Sequence, residues 1–69
     1  MKVSAHNILK GKVTMIVTGA IHSGVSLVLP GGTRIRSMIT NEPVKTLELK
    51  EGQGAYAVIK ASEVMIAVE

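Results

Sequence analysis

The chain has 69 residues, 46% of them hydrophobic, with eight Lys and Arg against five Glu, no Asp and no Cys. A chain of that length forms one small domain over residues 1–69 and buries only about 60% of the surface it exposes when unfolded; without Cys it has no disulfides or thiolate metal sites, and His6 and His22 are too few ligands for a protein-made metal cage. Among the usual supports of a small fold this leaves oligomerisation, while a net charge of +3 favours anionic partners.

Met1 to Asn7 runs into polar residues without an apolar core, so no secretory signal is read there. Residues 10–18 alternate with period two, predicting a half-buried strand with Val13, Met15 and Val17 on one face. Lys12, Thr14, Ile16 and Thr18 take the other face. Gly19-Ala20 turns into a second strand over 21–29, in which Ser23 is the polar exception among Ile21, Val25, Leu27 and Leu29. Pro30-Gly31-Gly32 closes a hairpin onto a third strand over 33–40. Ser37 there lies between Ile35 and Ile39 on one stripe, and if buried it needs a hydrogen-bond partner.

Thr40-Asn41-Glu42-Pro43 reads as a helix start, with capping side chains, an acid at the positive dipole end and Pro in the first turn. The helix is expected to end near Leu47. Lys50 to Gly54 is a turn, followed by a strand over 55–60 with Tyr56, Val58 and Lys60 on one face. A last short strand is expected over 65–68. Short strands with one brief helix point to an all-β, Greek-key barrel of OB type. Val13 to Thr33 carries no formal charge, but Thr, Ser, His and Gly-rich turns interrupt it, so it reads as strands and not as a membrane helix. A soluble, cytoplasmic protein is expected.

Catalysis has little material. Acid–base or nucleophilic work needs a His, Cys or carboxylate held beside a partner. Glu42, Glu48, Glu51 and Glu69 fall in the helix, turns or terminus, and Gly31-Gly32 lacks the Lys-Ser/Thr of a phosphate loop. No enzyme is expected. An OB-type module that binds single-stranded nucleic acid or a protein partner is the alternative reading. Such barrels stack bases on aromatic platforms, and Tyr56 alone cannot make a row of them, so nucleic acid is disfavoured. A tetrahedral oxyanion instead needs convergent hydroxyls, backbone N–H groups and a cation, without a nearby carboxylate. Ser4-Ala5-His6-Asn7 and Lys60-Ala61-Ser62 are rich in such donors, with Glu63 close to the second.

Ser4 to Asn7 followed by Leu9-Lys10-Gly11-Lys12-Val13 resembles the opening of the molbindins, small molybdate-binding proteins of the transport-associated OB (TOBE) family. The similarity continues through Leu29 to Gly32, Ile35 to Thr40, Gly54 to Ala61 and Val64 to Ile66. It implies a five-stranded OB-like barrel that exchanges strands between protomers and assembles as a homohexamer, a trimer of dimers. It also implies molybdate or tungstate as the bound ligand, at sites shared between subunits, with the metal held only as its oxyanion. Carried onto this chain, the main site comprises Ser4, the N–H at His6, Lys60, the N–H of Ala61, and Ser62, with Ser37 supplied by a neighbouring protomer. A second class of site is placed around Gly19, Ala20 and His22. The family's motif usually has Arg where this chain has His6, which keeps the backbone donor but makes the charge depend on pH. With neither a helix-turn-helix nor a nucleotide loop, the implied role is storage, homeostasis or delivery of the oxyanion in the cytoplasm.

Overall fold

The computed structural model describes residue 4 and residues 6–69 of the chain. Four strands, β1 (Asn7–Thr18), β2 (His22–Val28), β3 (Arg34–Thr40) and β4 (Gly54–Ile59), form one antiparallel sheet in the order β3-β2-β1-β4. Three strands in hairpin succession with a fourth returning beside the first make a Greek key. A short helix α1 (Asn41–Thr46) makes the crossover, and a 3₁₀ turn, Ala61–Glu63, follows β4.

β1 begins three residues before the strand expected from Lys10, because Asn7 to Gly11 pair with β4 while Val13 to Thr18 pair with β2; only Lys12 has partners on both sides. The alternation predicted for this strand is broken. A β-bulge between Val13 and Met15 inserts Thr14 and reverses the faces beyond it. Val13 and Ile16 therefore point to the core, while Met15 and Val17 are exposed on the opposite face. The turn before β4 stabilises the bulge. Gly52 N–H donates to Val13 O at 2.7 Å, Val13 N–H to Gln53 O at 2.9 Å, and Ile16 N–H reaches the Glu51 carboxylate at 3.4 Å.

The core is small: Val13, Val25 and Leu27 are buried, with Ile16, Ile39, Val44, Leu49, Ala55 and Ala57 packed against them. Full burial of each such aliphatic side chain contributes about 1.5–3 kcal/mol. Ser23 lies on the same face and is fully buried, its hydroxyl donating to Asn41 Oδ1. Ser37, expected to need a partner if buried, is exposed.

α1 ends one residue short of the expected Leu47, which is its C-cap. Thr40 is the N-cap but makes no side-chain cap bond, and Asn41 is turned to other work: its side chain donates to Gly19 O at 2.9 Å. Beyond the helix, Leu49 N–H bonds Val44 O and Glu48 N–H bonds Lys45 O, both at 3.0 Å, a Schellman closure with Val44 and Leu49 both against the core. Glu48 occupies its left-handed position, with φ 53°.

Residues 65–68, expected as a last strand, carry no strand within this chain. Met65, Ile66 and Val68 are 92%, 87% and 92% exposed. A strand needs a ladder partner, and these residues have none in the sheet described.

Candidate functional site

The β1–β4 ladder brings the two donor-rich segments together. Its last pair is Asn7 with Ile59, reinforced by Asn7 Nδ2–H donating to Ile59 O at 3.4 Å. His6 precedes and Lys60 follows this last pair, so both lie at the end of the β1–β4 ladder. Ser4 precedes His6 at this end of the sheet and is exposed, as His6 and Lys60 are. Ala5, between them in the motif, lies outside the described residues.

Lys60 leaves β4 in an extended conformation (φ −65°, ψ 137°) and caps the 3₁₀ turn. The turn's bonds run from Glu63 N–H to Lys60 O at 2.9 Å and from Val64 N–H to Ala61 O at 3.3 Å. They begin at Glu63, so the N–H groups of Ala61 and Ser62 stand outside them, as first-turn donors do. The residues flanking this end of the ladder thus include the Ser4 and Ser62 hydroxyls, the His6 imidazole and the Lys60 ammonium, with Glu63 the acid in the adjoining turn. That set suits a small, multiply charged oxygen anion. Among the described residues no cluster of three His, Cys, Asp or Glu could hold a cation.

Ser37 does not join this corner. It sits on β3, at the other edge of the sheet, facing Val25, which in turn faces Ile16 well along β1. The Gly19, Ala20 and His22 group forms the β1–β2 turn. Gly19 N–H already donates to His22 O at 2.8 Å, and the carbonyls of Gly19 and Ile21 accept from the side chain and backbone of Asn41, both at 2.9 Å. Asn41 was read as a capping residue from the sequence; its role in this turn depends on a contact across 22 positions that no local pattern announces. Beside the turn lies an open concavity lined by Met15, Val17, Met38, His22, Ser37 and Arg36.

The outer face carries a diagonal of cations. The row Lys12–Val28–Arg34 crosses three strands, with Lys10 and Arg36 two residues along from its ends. All five Glu lie outside the four strands. No helix among the described residues is long and apolar enough to cross a membrane.

Residues 3–66 match the TOBE domain family. The chain is 45% identical over 69 residues to the probable molybdenum-pterin-binding protein of Haemophilus influenzae, covering 100% of both. Its structure aligns with MopII from Clostridium pasteurianum at a TM-score of 0.92 and 40% identity, covering 97% of this chain and 100% of that one. It also aligns with the cytoplasmic molybdate-binding protein ModG, in a molybdate-bound form, at a TM-score of 0.90 and 54% identity, covering 94% of this chain and 46% of that one. On this likeness in sequence and fold, the chain belongs to the TOBE domain family and, within it, to the molbindins.

Proposed function

We propose that this chain binds molybdate, and tungstate as a tetrahedral dianion of nearly equal size, at the corner where β1 meets the end of β4. The observation that supports the reading is the β1–β4 register, whose last pair, Asn7 with Ile59, brings the ends of the two donor-rich segments to one end of the sheet. The relatives support it, since ModG is a molybdate-binding protein crystallised with its ligand. The role is one of binding, in cytoplasmic storage, homeostasis or delivery, and not of turnover.

The working unit is a homo-oligomer, a hexamer built as a trimer of dimers, with strands exchanged between protomers. Three observations on the described residues support assembly: residues 65–68 lie exposed without a ladder partner, Met15, Val17 and Met38 form an exposed apolar patch, and only Val13, Val25 and Leu27 are buried aliphatic side chains. Ser37, distant from Lys60 within one chain, reaches the site from a neighbour. Gly19, Ala20 and His22 contribute to a second class of oxyanion site, completed by other copies.

Calorimetry with molybdate, tungstate, sulfate and phosphate, beside a single-stranded oligonucleotide, tests the reading. Molybdate and tungstate should bind saturably at micromolar concentration or below, and the oligonucleotide should not. Removing one charge-assisted hydrogen bond costs about 1.5–3 kcal/mol, so Lys60→Ala should weaken molybdate about ten- to hundredfold. Oligonucleotide binding without molybdate binding would overturn it.

A further inference from the structure

We propose that Asn41 is the positioning residue of the β1–β2 turn, holding the turn's backbone N–H groups open for an oxyanion. The inference rests on the reading of Gly19, Ala20 and His22 as a second class of oxyanion site.

Facing residues of a hydrogen-bonded antiparallel pair exchange two bonds. Gly19 and His22, which close the turn, exchange only one: Gly19 N–H donates to His22 O at 2.8 Å. The return bond, from His22 N–H to Gly19 O, is not made. Gly19 O accepts instead from Asn41 Nδ2 at 2.9 Å, and Ile21 O accepts from Asn41 N–H at 2.9 Å. Asn41 therefore holds two of the turn's carbonyls. Its carboxamide is itself fixed from the core side, since Oδ1 accepts from the hydroxyl of the fully buried Ser23.

In a planar trans peptide the C=O and the following N–H point in opposite directions. Drawing Gly19 O and Ile21 O towards Asn41 thus turns the N–H groups of Ala20 and His22 away from it. Neither these nor Ile21 N–H has an acceptor among the described residues, and residues 19–22 are all exposed. Successive backbone N–H groups in a turn make an anion-binding concavity. The hollow beside the turn suits the same ligand, because its lining includes Arg36 and His22 and no acid. Without the carboxamide, Gly19 O turns to His22 N–H, the hairpin closes with both bonds, and the anion loses a donor.

The experiment is amide NMR on the full chain in its native assembly, as wild type, Ser23→Ala and Ser23→Ala/Asn41→Ala. The double substitution removes the carboxamide without leaving a buried Ser23 hydroxyl unpaired, and Ser23→Ala is its reference. Hydrogen exchange is read without ligand, and chemical shifts through a titration with sodium molybdate. In wild type and the reference, His22 N–H should exchange fast, and molybdate should move the amides of Ala20, Ile21 and His22 as well as those of Ala61 and Ser62. In the double variant, exchange at His22 should slow about tenfold and the turn amides should need about tenfold more molybdate, the effect of one hydrogen bond. Ala61 and Ser62 should titrate as in the reference, a split that a general loss of stability would not produce. Asn41→Asp keeps the acceptor for Ser23 and removes the donor to Gly19 O; it should slow His22 in the same way, and replaces the double variant if that chain does not fold. Unchanged exchange at His22, or an unchanged response of the turn to molybdate, would overturn the inference and leave the second site standing. A wild-type turn that ignores molybdate while Ala61 and Ser62 respond would overturn the second-site reading, and this inference with it. No response at either place would overturn the oxyanion reading as a whole.

Discussion

Gly11 shows how a single hydrogen atom in place of a methyl decides packing at the centre of this sheet. A Cβ there would lie 2.7 Å from Val28 O and 3.0 Å from Leu29 Cδ2. The first neighbour is backbone of the adjoining strand and cannot swing aside. Gly11 is also the last residue of β1 before Lys12, which is paired on both sides, so a shift there disturbs both ladders. Gly11→Ala should cost about 1–3 kcal/mol, the usual penalty of overpacking, read as a lower urea midpoint with an unchanged slope. Ser23 is the opposite case, a polar group kept in the core because Asn41 Oδ1 accepts a hydrogen bond from its hydroxyl. The sequence marked it as an exception to the apolar stripe; only the fold supplies the partner.

At the scale of elements, α1 has six residues and draws its definition from its ends. The Schellman closure satisfies its last carbonyls and brings Leu49 back to the core beside Val44. Its weak point is Glu48, with φ 53°, a conformation that costs an L-residue about 1–2 kcal/mol and a glycine almost nothing. Glu48→Gly should therefore stabilise the protein by about 1 kcal/mol, less whatever the looser unfolded chain takes back. For a domain of this size that is a rise in melting temperature of about 4–8 °C, compared at equal protein concentration. The turn before β4 has a different task. It stabilises the bulge in β1 through Gly52, Gln53 and Glu51, and the bulge in turn decides that Val13 and Ile16, not Val13 and Met15, share the core.

For the whole molecule, residues 65–68 have the composition of a buried strand and the exposure of a tail. A substitution at Ile66 separates the proposed assembly from a lone chain. In a monomer, Ile66→Glu alters an exposed side chain, and stability should move by no more than about 0.5 kcal/mol. In a strand-exchanged oligomer the same change buries an unpaired carboxylate. We expect the second: native mass measurement should show a hexamer for wild type and a shift to smaller species for Ile66→Glu, with weakened molybdate binding following from the loss of shared sites. A wild-type chain that stays monomeric at low micromolar concentration would refute shared sites.

Much of this protein was legible from residue order. Period-two runs bounded by Gly19-Ala20, Pro30-Gly31-Gly32 and Lys50 to Gly54 mark strands and turns, because side-chain alternation and turn chemistry are local properties. The donor-rich, acid-poor character of Ser4 to Asn7 and of Lys60 to Ser62 is likewise written in composition. Tertiary structure alone decided the face of Met15 and Val17, since a bulge is a mismatch between two strands and cannot be seen in either. It alone recruited Asn41 to the Gly19 turn in preference to a helix cap, because that choice depends on where Ser23 and Gly19 come to lie. The meeting of Asn7 with Ile59, which brings together the ends of the two donor-rich segments, belongs to the same class. Their 52 positions of separation in the chain are closed by the antiparallel register of β1 and β4, a long-range pairing that depends on which strand lies beside which.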